Sequence, residues 1–131
     1  MKLHEYQAKA LLRSAGIPVP RGVVVTDAGQ AAKAYATLKQ QCGASATFVC
    51  HVKAQLHAGG RGKAGGILVA STEEEAASQA RRLLSRRLVT HQTSPEGLPV
   101  SAVLLEERIA VTRELYLAVT IDRFRATPMV L

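Results

Sequence analysis

Apolar positions recur at helical spacing in some stretches of the chain and at strand spacing in others. Over residues 3–15, Leu3, Tyr6 and Ala10 share one side, completed by Leu11 or Ser14, and Gly16 and Pro18 supply the stop. Val23-Val24-Val25 predicts a short strand too apolar for an exposed edge. Asp27 and Gln30 are spaced as a reciprocal cap for a second helix, with Ala31, Ala34, Tyr35 and Leu38 as its buried stripe and Gly43 at its end. Strands are predicted over 47–55 and at Ile67-Leu68-Val69, with a glycine-rich run between them. Ser71 and Glu74 form a second capping pattern, opening a helix that turns Ala76, Ala80, Leu83 and Leu84 inward. Arg81, Arg82, Arg86 and Arg87 crowd its end, where cations meet the negative pole of the helix. After a turn-rich loop from Ser94 to Pro99, strands are predicted over 100–107 and 114–122, the latter with Leu115, Leu117, Val119 and Ile121 on one face. Pro128-Met129-Val130-Leu131 reads as the opening of another strand, so the chain is expected to stop inside a larger fold; a short tail docked in the core is the alternative.

Strands alternating with helices over 131 residues predict one domain of the α/β (α+β) class. At 47% apolar residues the chain can build a core, and with no tryptophan that core must come mostly from Val, Leu, Ile and Ala. No apolar run approaches the roughly 20 residues that span a bilayer. His4, Glu5, Gln7 and Lys9 stand where a signal peptide would be greasy, and Cys42 and Cys50 make no disulfide scaffold. A soluble protein of a reducing compartment, the cytoplasm, is expected, with no membrane contact. Charge is uneven: residues 1–65 carry nine basic groups against only Glu5 and Asp27, whereas residues 66–131 balance at eight of each. The basic half predicts an anionic partner of unspecified kind.

The sharpest local feature is His57-Ala-Gly-Gly-Arg-Gly-Lys-Ala-Gly-Gly66. A phosphate-binding loop of the Gly-x4-Gly-Lys-Ser/Thr type fails at both ends, since His57 stands at its first glycine and Ala64 follows Lys63. Gly60-x-Gly62-x-x-Gly65 matches the dinucleotide fingerprint, but a strand follows in place of the required helix. The remaining reading is a glycine flap, residues 57–66, between antiparallel strands, whose amides converge on phosphates with Arg61 and Lys63 adding charge. Lys53 precedes the flap in the alternation Val49, His51, Lys53, Gln55. Either an anion such as a phosphate meets it, or it snorkels to water. Nucleic-acid binding by the RGG-like run is disfavoured by the lack of aromatic partners. A zinc set of Cys42, Cys50, His51 and His57 lacks the closely spaced cysteine pair of structural sites.

The segments MKLHEYQAKALLRSAGIPVPRG, VKAQLHAGGRGKAGG, RRLVTHQT and LLEERIAVTRELYLAVTIDR, in this order, resemble the β subunits of the succinate–CoA ligases. The resemblance covers nearly the whole chain and implies an ATP-grasp fold, residues 1–131 forming its N-terminal subdomain, cut before the second lobe and without the C-terminal ligase domain. The β subunits of malate–CoA ligases look similar here. Carried over position by position, Lys53 is implied to contact the nucleotide phosphates and Gly60, Arg61 and Gly62 to be the loop contacts to ATP. Glu106 is implied to be a hinge glutamate near the adenine, and Glu114 a second glutamate on the ribose side. The family's threonine-like contact between them falls on Ile109, which keeps a backbone contact at most. Pro20 hints at adenine over guanine. On the residues alone, a solvated strand end for Glu106 and a plain surface position for Glu114 remain open.

What the resemblance implies is a reversible ligation, a step of the tricarboxylic acid cycle: ATP, succinate and CoA give ADP, phosphate and succinyl-CoA. It passes through a phosphohistidine on a partner α subunit, in a heterodimer or heterotetramer. None of His4, His51, His57 and His91 is expected to be that nucleophile, so no catalytic residue is assigned in this chain. The Mg²⁺ ligands, an Asn and an Asp, are expected beyond residue 131, so no metal ligand is assigned here and the chain alone is expected to be inactive. The alternative is a catalytically silent, stand-alone nucleotide-binding or subunit-interaction module.

Overall fold

The computed structural model describes residues 2–131; Met1, one end of the predicted 1–131 domain, lies outside the described residues. Its elements are α1 (Glu5–Ser14), β1 (Gly22–Val25), α2 (Ala31–Gln41), β2 (Cys50–Gln55), β3 (Ile67–Ala70), α3 (Glu73–Leu84), the short pair β4 (Arg87–Leu88) and β5 (Leu98–Pro99), β6 (Ala102–Glu107), β7 (Val119–Asp122) and β8 (Thr127–Val130). A four-stranded antiparallel sheet, ordered β1-β6-β2-β3, carries the architecture.

Strand alternation splits this sheet into two chemically different faces. Val25, Cys50, Val52, Ala54, Ala70, Val103 and Leu105 turn towards α2 and α3 and are buried with Ala31, Ala34, Tyr35, Leu38, Ala76, Ala80 and Leu83. The stripes read from the sequence for α2 and α3 are therefore the ones that pack; of these only Leu84 is left partly buried. His51, Lys53, Gln55, Leu104 and Glu106 belong to the opposite face, which α1 covers.

Helix α1 departs from the expected apolar docking. No residue of α1 is buried, and Leu11 and Leu12 are exposed. Its polar side faces the sheet instead, because the sheet there offers Lys53, Gln55 and Glu106 beside Leu104. Both capping patterns also shift. Asp27 Oδ1 accepts from the Gly29 N–H at 2.8 Å and opens a single 3-10 turn, Ala28–Gln30, ahead of α2. Helix α3 is capped by Thr72, whose hydroxyl accepts from the Glu75 N–H at 3.1 Å, one residue later than the Ser71–Glu74 spacing predicts. Glu75 reaches back to the Ser71 N–H and hydroxyl at 2.7 and 2.6 Å.

The largest correction concerns the predicted strand 114–122. Only Val119–Asp122 is strand, paired antiparallel with β8 in a separate two-stranded sheet, and Leu115, Leu117, Val119 and Ile121 are all at least 70% exposed. The terminal residues do form the expected strand, β8, but they are not a tail docked in the core, since Val130 and Leu131 are exposed.

Candidate functional site

Strands β2 and β3 are consecutive and antiparallel, with Lys53 opposite Ile67, so the glycine run is the loop of a hairpin. The loop closes on itself through Ala64 N–H to Gly60 O (3.3 Å), Gly65 N–H to Gly62 O (3.1 Å) and Gly66 N–H to Arg61 O (2.8 Å). Gly60 adopts φ +76°, which favours glycine, and a Cβ there would stand 2.6 Å from His91 Nδ1 and displace that exposed ring. Gly59 donates to Gln92 Oε1 at 2.6 Å, tying the loop to the segment after β4. Among the described residues, the N–H groups of Gly60, Arg61, Gly62 and Lys63 meet no protein acceptor. Four successive amides without protein acceptors, with Arg61 and Lys63 on the same cleft, are groups that can hold an anion.

The loop walls a cleft of about 710 Å³ lined by Glu5, His57, Gly60, Arg61, Gly62 and Lys63, among others. Glu5 and Arg61 join this cleft to a network of charges. Lys53 Nζ donates to Glu5 Oε1 at 2.9 Å and to Glu106 Oε2 at 2.6 Å. Lys9 donates to the same Glu5 oxygen at 2.9 Å and to the other Glu106 oxygen. Arg61 Nη2 donates to Glu5 Oε2 at 2.7 Å while its Nη1 donates to the Ala54 carbonyl at 2.5 Å. Burial alone would raise the Glu5 pKa, but hydrogen bonds from Lys53, Lys9 and Arg61 outweigh it and hold the carboxyl well below the usual carboxylate range. Burial alone would likewise lower the Lys53 pKa, and the bonds to Glu106 and Glu5 reverse that and raise it.

The imidazoles contribute differently. His57 stacks on His4 with ring centres 4.0 Å apart, and burial, His57 and Arg61 together lower the His4 pKa. His51 is also lowered, by burial, then Lys53 and Arg108. The weak zinc set does not assemble: Cys50 faces the core, its thiol pushed up to about 12 by burial, while His57 is on the cleft. No group of three or more His, Cys, Asp or Glu able to hold a metal ion occurs among the described residues.

The structure thus brings Lys53, Arg61 and Glu106 into one network and sets Gly60 and Gly62 on the cleft beside it. Glu106 is neither solvated nor open at a strand end; it is 3% exposed and held between Lys9 and Lys53. Ile109 lies apart, exposed, on a second cleft of about 900 Å³ that includes His51, Glu107 and Arg108. Glu114 is exposed in the 108–118 connector and lines neither cleft. The sequence reading misses Glu5 and Lys9. The available signals are their i, i+4 spacing on a helix and the rarity of acids among the first 65 residues.

Comparison with known proteins places this geometry in context. The profile of the ATP-grasp domain matches residues 2–131. The chain is 47% identical to the protein named succinate–CoA ligase [ADP-forming] subunit beta of Chlorobium chlorochromatii over 94% of its length, covering 31% of that relative. Proteins of the same name from Koribacter versatilis (46% identity, 98% of this chain, 32% of the relative) and Geobacillus thermodenitrificans (49%, 94% and 30%) are similarly related. The chain therefore spans about a third of the length of these curated relatives.

Proposed function

Because this chain belongs to the ATP-grasp domain family, we propose that its glycine-loop cleft receives the polyphosphate of ATP or ADP. The observation that carries this reading is the run of acceptor-free amides from Gly60 to Lys63, bordered by Arg61 and Lys63, with Lys53 joined to Arg61 through the Glu5 carboxylate. An ammonium has three N–H donors, and Lys53 gives two to carboxylates, so one is left for a phosphate oxygen. Phosphoryl transfer depends mainly on positioning and on cancelling charge, which is what amides, a lysine and an arginine on a rigid hairpin supply. Magnesium would neutralise phosphate oxygens when bound, held by ligands outside this chain.

The second cleft supports the other half of the nucleotide. Lys53 lies on β2 between His51, on the Ile109 cleft, and Leu56, on the glycine cleft. A nucleotide laid along β2 would set its phosphates at the loop and its base near Ile109, with Glu106 between them and Glu114 reaching the ribose only by movement of the connector. For the whole protein we read an ADP-forming ligase joining succinate to CoA, assembled with an α subunit, in the cytoplasm; malate is the second choice of acid. No helix of the described residues is long and apolar enough to cross a membrane.

Calorimetry with Mg-ATP tests the binding half: heat of binding that falls at least tenfold in affinity in Lys53→Ala supports it, and equal affinity in both proteins removes it. Mixing the chain with an α subunit tests the rest, and no ADP-forming turnover is expected. A silent interaction module is the second reading, favoured by the exposed Leu115, Leu117, Val119 and Ile121. It predicts association with a partner protein while Lys53→Ala has no effect.

A further inference from the structure

Glu5 stands outside the nucleotide contacts proposed above, yet its two carboxylate oxygens meet cations from three separate elements. Oε1 accepts from Lys9 of α1 and Lys53 of β2, both at 2.9 Å, and Oε2 accepts from Arg61 of the glycine loop at 2.7 Å. Left unbridged, the Lys53 and Arg61 cations would repel each other across the base of the loop. A shared carboxylate fixes their separation, and the guanidinium plane is fixed further by the Ala54 carbonyl. Glu5 itself is anchored. The neighbouring Tyr6 N–H donates to the fully buried Gln55 Oε1 at 3.3 Å, and His4 stacks on His57 at the start of the loop. The start of α1 is thereby joined to β2 and to the loop at independent points.

The clamp does not extinguish the positive field. Lys9, Lys53 and Arg61 outnumber Glu5 and Glu106 by one charge, and both Lys53 and Arg61 retain N–H donors beyond those engaged.

We propose that Glu5 is a positioning residue of this site, clamping Arg61 of the glycine loop to Lys53 of β2 so that both cations and the loop amides face a polyphosphate in one arrangement. This rests on the nucleotide reading above. The rival role is a shield: a carboxylate occupying the phosphate site that must leave when the ligand arrives. The two roles predict opposite signs on removing the charge.

The test compares the full chain with its Glu5→Gln, Glu5→Asp and Arg61→Gln variants. Hydrogen exchange is measured without nucleotide, and calorimetry with Mg-ATP and with inorganic tripolyphosphate. A clamp predicts exchange at Gly59, Ala64, Gly65 and Gly66, the loop amides bonded to protein acceptors, about tenfold faster in Glu5→Gln and Arg61→Gln, with the amides of Val52, Val103 and Leu105 unchanged. It predicts about tenfold weaker binding of both ligands to Glu5→Gln, and partial recovery of both readouts in Glu5→Asp. Unchanged loop exchange in Glu5→Gln overturns the clamp, and tighter ligand binding by that variant overturns it in favour of the shield. A loosened loop in a family of proteins whose parent binds neither ligand supports the clamp while removing the nucleotide reading.

Discussion

The Lys53 ammonium and the Glu106 carboxylate face each other at 2.6 Å from adjacent strands, on the side of the sheet away from α2 and α3. The register pairs Lys53 with Leu104 and His51 with Glu106, so the ion pair is a diagonal one, within reach of long side chains on a shared face. Lysine in a mostly apolar strand thus has its anion supplied by the fold, and a polyphosphate would join an existing partnership.

Removing one member of this pair is expected to be costly. Lys53→Met leaves the buried Glu106 carboxylate with Lys9 alone and should lower stability by on the order of 3 kcal/mol. The double variant Lys53→Met/Glu106→Leu should recover most of that loss, because no uncompensated charge then remains at that position. Urea unfolding of the three proteins checks both expectations.

Acid should release α1 before it unfolds the core. The Glu5 carboxyl is held below its unfolded value of about 4.3, so the unfolded chain takes up this proton first. Its contribution is full above that value and is lost as pH falls towards the folded one. Lys9, Lys53 and Arg61 face this carboxylate, with Glu106 across the two lysines and the His4–His57 stack beside Arg61. Lys53 has a raised pKa, so its contribution holds below about 10.4 and disappears as pH rises through the folded value. The urea midpoint should therefore fall between pH 7 and pH 3.5, and fall less in Glu5→Gln. Equal falls would show that Glu5 does not carry the acid sensitivity; Glu107, Glu74 and Glu75, whose pKa values are also lowered, account for the remainder.

Two loop glycines should respond unequally to the same substitution. Gly60→Ala meets both a left-handed backbone and a Cβ placed 2.6 Å from His91 Nδ1, and should cost about 1–2 kcal/mol or more. Gly62→Ala meets only Ile67 Cδ1 at an ordinary 3.7 Å and should change stability by about 0.5 kcal/mol or less. Thermal unfolding of the pair decides whether the loop is held in this conformation.

The cysteines should be inert at neutral pH. Burial, aided by the Glu107 carboxylate, pushes the Cys42 thiol up to about 11, and burial alone pushes Cys50 up to about 12. Alkylation by iodoacetamide at pH 7.5 should proceed far more slowly on the native chain than in urea.

These outcomes also show where the sequence was informative. Ala31, Ala34, Tyr35 and Leu38 repeat at the period of the helix that buries them, so the α2 side of the core can be read directly. Lys53 and the glycine run are neighbours in sequence, and antiparallel pairing of β2 with β3 follows from the short link between them. Glu5 is different: beyond Lys9, its partners Lys53 and Arg61 lie 48 and 56 residues away, and no local pattern reports a contact of that kind. In 114–122 the alternation is real but describes which side chains would accept a cover, and no described residue covers Leu115 or Leu117. Glu106 falls within the predicted strand 100–107, while its burial depends on α1 crossing the sheet, which the apolar stripe of that helix does not foretell.

The central claim is that the loop from Gly59 to Lys63, joined to Lys53 through Glu5, cradles polyphosphate. Titrating the ¹⁵N-labelled chain with Mg-ATP and following its amide resonances tests it most directly. The account predicts saturable shifts concentrated at Gly60, Arg61, Gly62 and Lys63, abolished in Lys53→Met. Saturable shifts confined to the 108–131 segment, or a loop whose resonances do not move, would contradict it.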